Sequence, residues 1–362
     1  MLFVLNNFIN LSSLDLNRFL SVFIRIKGGD SMSSLYVTEA GSFIKRDGGH
    51  VVVGRNNEVL FEVPLERIED ITVFDSVSIT SSLVTDFIER GVPITWLSGY
   101  GKYFGTLINT NTIDINKHKK QFDLLDDNAF RVAMSRKIIR AKVRNQLTIL
   151  RRYARNLEED INIDVQIANI KSVRSHIGEC IRVSELMGYE GLISRLYFEA
   201  LGKIVPSAFA FTKRTKQPPR DPFNAMLGLG YSMLFNEILA GVINAGLHPF
   251  VGVMHTLAKG HPALASDLIE EWRAPIIDSM VLSMVSRNMV DLAEFDNSDK
   301  GCYLTAEGRK AFLTAYNKKI RSENQYIDDR KSYRESIYKQ CKQFASAIIH
   351  EDVDLYTPLE IH

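Results

Sequence analysis

The stretch GVMHTLAKGHPALASDLIEEWRAP, residues 252–275, holds the residue types most able to do chemistry. His255 lies near the end of an apolar run, the turn Gly260-His261-Pro262 reverses the chain, and a helix is predicted from about Ala263. On that helix Leu264, Leu268 and Trp272 share one face, whereas Asp267 and Glu270, three apart, are neighbours on another. If the turn folds this helix back on the preceding one, an imidazole and carboxylates converge. Such a donor set suits a hard or borderline divalent ion, Mg2+ or Mn2+, with the histidine favouring Mn2+. A further carboxylate stands in MGYEGLISRLYFEAL, where Glu190 falls at the predicted start of a helix and Glu199 follows in the same helix. Spacing leaves both open. The same patterns also fit plain structural roles: an acid complementing a helix dipole, a histidine capping a helix end, and Asp-x-x-Glu on a solvated face.

Phosphate chemistry would need cations nearby. Between Arg131 and Arg155 the chain carries Arg136, Lys137, Arg140, Lys142, Arg144, Arg151 and Arg152 with no acid among them. On one long helix these would circle much of the exposed surface, either as a face tracking a phosphate backbone or as solvated charges paired with Glu158, Glu159 and Asp160. A second cluster, Lys213, Arg214, Lys216 and Arg220, lies in the proline-containing loop FTKRTKQPPRDP, which leads into the helix preceding the candidate site.

The elements that must position these groups fall into two halves of different period. From Ser34 to about Asn111, period-two runs such as HVVVGRNNEVLFEVP and ITVFDSVSIT, punctuated by Gly48-Gly49 and Asn56-Asn57, predict strands and hairpins, with one helix in SSLVTDFIERG ending at Gly91. Residues 112–127 are polar and read as a linker. Beyond them apolar residues recur at helical spacing (Ile138, Ile139, Val143, Leu147 and Leu150), and prolines at 218, 219, 222, 249 and 262 mark the breaks. The expected fold class is α+β in two domains: a small β-rich, sandwich-like domain with one helix over residues 32–111, and a larger all-α catalytic domain over 128–346. A tail spans 347–362. Residues 1–31 read as an N-terminal extension, with Met32 opening the ordered domain and itself a candidate start.

At 362 residues and 45% hydrophobic, the chain has material for more than one core. Its formal charge of +1 offers no global attraction to nucleic acid, so any such binding must come from local basic surface. Cys180, Cys302 and Cys341 lie too far apart for a zinc pair or a disulfide framework, which points to a reducing, cytoplasmic setting. No run approaches the about 18–20 continuous apolar residues of a membrane span, and the apolar N-terminus, interrupted by Asn6, Asn7, Asn10, Asp15 and Arg18, lacks the basic start and cleavage site of a secretory signal. No membrane partner is expected.

Several phrases together resemble one family: VPLERIEDITVF and GVPITWLSGYGKYFG in the first half, then YEGLISRLYF, PPRDPFNAMLGLGYSMLFNEI, GLHPFVGVMH and SDLIEEWRAPIIDSMVLSMV in the second. In that order, from about Leu35 to Ser346, they resemble the CRISPR-associated Cas1 integrases. The resemblance implies a metal-dependent DNA endonuclease and integrase that inserts short duplexes into a repeat array by attack of a 3′-hydroxyl on a phosphodiester. Glu190 of the Glu-Gly motif, His255 of the Gly-x-x-His motif and Glu270 on the following helix would hold Mg2+ or Mn2+, and Glu199 drops out. Asp267 resembles an assisting acid, and Asn224 in Asp-Pro-x-Asn would position the scissile strand or a ligand. Lys203, Lys213, Arg214, Arg220 and Arg273 become candidates for gripping DNA. The implied partners are a second copy of the chain, forming a homodimer joined through β domains, the small Cas2 protein bridging two such dimers, the incoming duplex, and repeat DNA. A repair nuclease and a silent DNA-binding scaffold share the same site and are the competing expectations.

Overall fold

The computed structural model describes residues 22–24, 33–74, 76–98, 103–107, 109, 113–155, 161–255, 258–326 and 329–361. Packing divides the chain into two compact units at Asn111/Thr112. The first is β-rich and the second is mainly helical.

In the first unit, β1 (Val22–Ile24), β2 (Ser33–Val37), β6 (Ile68–Phe74), β8 (Ile94–Leu97) and β9 (Tyr103–Leu107) form one sheet in that order. A second sheet runs β5 (Glu58–Pro64), β4 (His50–Arg55), β3 (Phe43–Asp47) and β7 (Ser78–Ile79). Aliphatic side chains from both sheets, among them Leu35, Val37, Ile44, Val51, Val53, Ile71 and Val73, make one core together with Leu83 and Phe87 of helix α1 (Ser81–Arg90). The β4–β5 hairpin turns at Asn56 and Asn57, both in the left-handed region at φ 50 and 65°, the geometry that the Asn-Asn pair suggests. Not every connection is a hairpin, however: β2 pairs with β6, and β6 with β8, in parallel. Of the expected extension, Val22–Ile24 pairs antiparallel with β2, so the sheet begins before Met32. The rest of that extension, like Glu158, Glu159 and Asp160, lies outside the described residues.

The second unit contains α2 (Ile115–Asp123), α3 (Asn128–Ala154), α4 (Asp164–Ser175), α5 (Val183–Ile204), α6 (Pro222–Asn244), α7 (Ala263–Leu268), α8 (Glu270–Trp272), a π-helical turn (Arg273–Asp278), α9 (Ser279–Ser286), α10 (Ala306–Ile320) and α11 (Tyr333–His350). It is not all-α. Two short hairpins interrupt it, β10 (Phe295–Ser298) with β11 (Gly301–Leu304) and β12 (Glu323–Tyr326) with β13 (Asp329–Ser332). Both are built from strands of four residues, too short to show an alternating period. Helix α6 is by length and composition able to cross a membrane, though 67% of that apolar window is buried, as befits a core helix.

Two segments read as peripheral are instead packed against the helices. The expected linker contains α2, capped by Asp114, and its Gln121 is buried, donating to the carbonyls of His248 and Val251 and accepting from the His248 N–H. Its polar residues satisfy backbone groups of the turn before His255, so apolar periodicity could not reveal it. The expected tail begins inside α11, which runs to His350, and then crosses the unit with Tyr356 and Leu359 buried. Tyr356 Oη and the Leu359 N–H both donate to the buried carboxylate of Glu271, and the Ile361 N–H donates to Asn145 on α3.

Candidate metal centre

Gly252 explains how the chain can bring His255 onto α7. A Cβ there would stand 2.4 Å from Asp267 Oδ2 and 2.9 Å from the backbone of Ala263. Only glycine lets the strand-like segment 251–255 lie this close. Asp267 then gathers it: Oδ2 accepts the N–H groups of Val253 (2.6 Å) and Met254 (3.0 Å), and Oδ1 accepts the His255 N–H (3.0 Å) and His255 Nδ1 (2.7 Å). Because a carboxylate can only accept, Nδ1 carries the proton and Nε2 is left with its lone pair, the tautomer suited to ligating a metal. The hydrogen bond to Asp267, opposed by burial and aided by the charges of Asp267 and Glu270, raises the His255 pKa.

Glu270 opens α8 one turn after Asp267 and points elsewhere. Its carboxylate lies 2.5 Å from Lys142 Nζ of α3 and 3.2 Å from Arg273. Oε2 is buried with this ion pair but no directed hydrogen bond. Burial alone would push the Glu270 pKa up; Arg273, Lys142 and His255 together pull it to about 2. Glu190 sits well inside α5, past the first turn, so the helix-dipole reading does not hold for it. It is bonded by the same Lys142 ammonium and by Ser194 Oγ at 2.7 Å. Lys142 is thus a buried ammonium bridging two carboxylates. Burial works against its charge, but Glu270 and Glu190 outweigh this and raise its pKa. Glu199, the rival in α5, is half exposed and faces Arg195.

Among the described residues no three His, Cys, Asp or Glu side chains already close around a metal-sized point. The donor chemistry nevertheless fits one. Glu190 and Glu270 already share a single cation, and His255 presents Nε2 from an oriented ring. Two carboxylates and one imidazole suit Mg2+ or Mn2+.

A cationic wall stands next to these acids. Arg273, which pairs with Glu270, and Arg214 both lie over the ring of Tyr231, at 4.8 and 5.3 Å from its centre. Tyr231 and Tyr197 donate to the two oxygens of buried Asp278, at 2.5 and 2.8 Å. Burial outweighs these bonds and the nearby arginines and pushes the Asp278 carboxyl up to about 6. Since this folded-state value exceeds the ordinary 3.8, the group contributes stability that is full at low pH and is lost as pH rises through about 6. In Asp278→Asn that contribution is absent, so the gap in urea midpoint between wild type and variant should shift in the variant's favour from pH 4 to 7. A gap that stays constant with pH would refute this.

The remaining sequence candidates separate. Asn224 is fully buried. Its side chain clamps the basic loop, accepting from Arg214 and the Thr215 N–H and donating to the Lys213 carbonyl and Asp221, while Asp221 caps α6. Lys213 and Arg220 are exposed on that loop, and Arg220 reaches the Asp299 carbonyl of the β10–β11 turn. Lys203 ties α5 to the Asn162 carbonyl and Gln166, away from the acids. On α3, Arg136 and Lys137 bind backbone carbonyls and Arg144 binds Glu360, so that helix is no continuous phosphate-tracking face. Tyr231 and Asp278 were not singled out from sequence, and Lys142 and Lys216 stood there only as members of basic clusters. Lys216 loses basicity through desolvation and through the positive charges of Arg273 and Arg214, which places it in the same field. With Asn145 and Gln146, Lys142 forms a polar stripe at i, i+3, i+4 that is buried on α3.

Residues 35–318 match the family model described as CRISPR associated protein Cas1. The chain belongs to the Cas1 family. A CRISPR-associated endonuclease Cas1 from Thermus thermophilus is 31% identical over 92% of this chain and 99% of its own length. Among solved structures, a casposase bound to integration product superposes with a TM-score of 0.79 at 21% identity, covering 88% of this Cas1 chain and 92% of that one. A Cas6-RT-Cas1–Cas2 complex gives 0.77 at 21% identity over 93% of this chain, which spans 37% of that chain. At such identities these two structures speak for the fold.

Proposed function

We propose that this Cas1 chain is a divalent-metal-dependent DNA integrase and endonuclease that inserts short duplexes into a CRISPR repeat array. The observation carrying this reading is the pair of carboxylates, half-buried Glu190 and buried Glu270, sharing one cation beside an Asp267-oriented imidazole and against a wall of arginines. Glu190, Glu270 and His255 Nε2 would hold the ion. When bound, Mg2+ or Mn2+ supplies neutralisation of the charge developing on the scissile phosphate and lowers the pKa of the attacking 3′-hydroxyl. The protein contributes the rest. Arg273, braced on Tyr231, and Lys216 at the loop edge receive phosphate oxygens, while the Asn224 clamp holds the shape of the loop carrying Lys213, Arg214 and Arg220. Strand exchange conserves the number of phosphodiester bonds, so no external energy source is required.

The structural neighbour solved with Cas2 supports a Cas2 partner for this chain, and the neighbour solved on an integration product supports duplex DNA as substrate. Homodimer formation through the β-rich unit belongs to the same proposal, as does a cytoplasmic setting, in which the free, buried thiols of Cys180, Cys302 and Cys341 stay reduced. The test offers purified protein a supercoiled repeat plasmid and short duplexes, with and without the Cas2 partner, in MnCl2, in MgCl2 or in EDTA. Joined product only with metal, and enhanced by the partner, is expected. Joining in EDTA would refute the metal dependence, and plasmid nicking without joining under every condition would refute integration.

A further inference from the structure

Lys142 is the best-held side chain of the candidate centre, and the proposed function gives it no task. Its ammonium is 7% exposed and is bonded to Glu190 and Glu270 at once, while Arg273 engages the other oxygen of Glu270. The charges of Glu190 and Glu270 are therefore matched one for one by Lys142 and Arg273, with Lys142 and Glu270 the most deeply buried of the four. A divalent ion arriving between Glu190 and Glu270 must take the place of the ammonium and would leave this pocket with excess positive charge. Desolvated excess charge is costly unless new anions arrive. The anion that the neighbouring arginines and Lys216 are placed to receive is a phosphodiester. Lysine suits such a move, because its four-carbon stem lets the ammonium swing without displacing α3.

We infer that Lys142 is a built-in counter-ion that blocks the metal position in the free protein and, by transferring its charge to a DNA phosphate, couples metal uptake to DNA binding. This rests on the assignment of Glu190 and Glu270 as ligands. Lys142 acts as a positioning residue, through the ligands rather than on the reacting atoms. Because binding linkage is reciprocal, duplex DNA raises metal affinity by the same factor that metal raises DNA affinity.

The test is Mn2+ titration, followed by the paramagnetic signal of the free ion, with and without a short blunt duplex. In the wild type the duplex should tighten Mn2+ binding by about tenfold or more. In Lys142→Met, with the competing ammonium gone, Mn2+ should bind more tightly than in wild type without DNA, and the effect of the duplex should shrink to about threefold or less. Lys142→Arg, which keeps the charge, should keep the coupling. A Lys142→Met protein that binds Mn2+ no better than wild type, or that retains the full DNA effect, overturns the inference. If that variant does not fold, Lys142→Gln, whose amide can still donate to the carboxylates, replaces it with the same expectations, and the absence of any DNA effect in wild type would by itself overturn the inference. Glu190→Ala separates the two levels: Mn2+ affinity unchanged by that substitution refutes the metal centre itself, whereas Mn2+ lost in Glu190→Ala but unaffected by Lys142→Met refutes only the role of the lysine.

Discussion

Glu270→Ala is expected to lower DNA joining in Mn2+ by on the order of a thousandfold or more, while duplex binding measured without metal stays as tight as in wild type or becomes tighter. The two effects part because of what surrounds the carboxylate. Removing it takes one of the two acids from the site, so a metal held as proposed would lose a ligand and the scissile phosphate its neutralising partner. It also releases Arg273 and half the hold on Lys142, and leaves the pocket more positive. A phosphate backbone binds such a pocket at least as well. Strand-transfer rates on a repeat plasmid and a binding titration on the same duplex, run side by side, check the pair of expectations. Glu199→Ala, an exposed acid of α5 paired only with Arg195, is the control and should join DNA normally. Equal joining by Glu270→Ala and wild type would remove Glu270 from the centre.

The second large effect is expected at Asp267, through structure rather than direct ligation. Alanine there leaves the N–H groups of Val253, Met254 and His255 without their acceptor in a mostly buried loop, a loss of about 3 kcal/mol or more. The His255 ring loses the partner that selects its tautomer, which should weaken Mn2+ binding by about 10–100-fold. Asparagine should rescue little. Both carboxylate oxygens accept, on opposite sides, and an amide would turn its NH2 toward one set of donors. If that NH2 faced Nδ1, the imidazole would carry its proton on Nε2 and could not ligate. Thermal melts and Mn2+ titrations of Asp267→Ala and Asp267→Asn test this; unaltered Mn2+ affinity in either variant would contradict the orienting role.

These two residues show what the sequence could and could not convey. Spacing placed Asp267 and Glu270 one helical turn apart and brought His255 toward them, and the family phrases added Glu190. Yet spacing treated both acids as one group pointing together, whereas the structure divides them: Asp267 turns back to organise the loop, and Glu270 faces α3 and Arg273. That division depends on which helix packs behind each face, information that a single helix's period does not contain. The same limit hid Lys142. In a run of arginines and lysines it looks like solvated charge, and only the arrival of α5 and α8 against α3 makes it buried. The β-rich and helical halves were legible because long stretches of consistent period carry them. The β10–β11 and β12–β13 hairpins were not, since strands of four residues leave no periodic trace. Gln121 and Glu271 escaped for a related reason: each is a polar residue whose value lies in backbone groups distant in sequence, at His248 and Val251 for one and Leu359 for the other.

The tight approach of Gly252 to Asp267 also limits how the chain can vary. The room a Cβ at 252 would need is filled by the carboxylate at 267, and that carboxylate is held in place by the N–H groups of the segment beginning just after the glycine. Neither position can drift alone, and the two substitutions should show strong epistasis. A shorter side chain at 267 makes room for alanine at 252, but only by surrendering the acceptor that shapes the loop. The glycine and the aspartate are therefore constrained as a pair, each setting what the other position can accept.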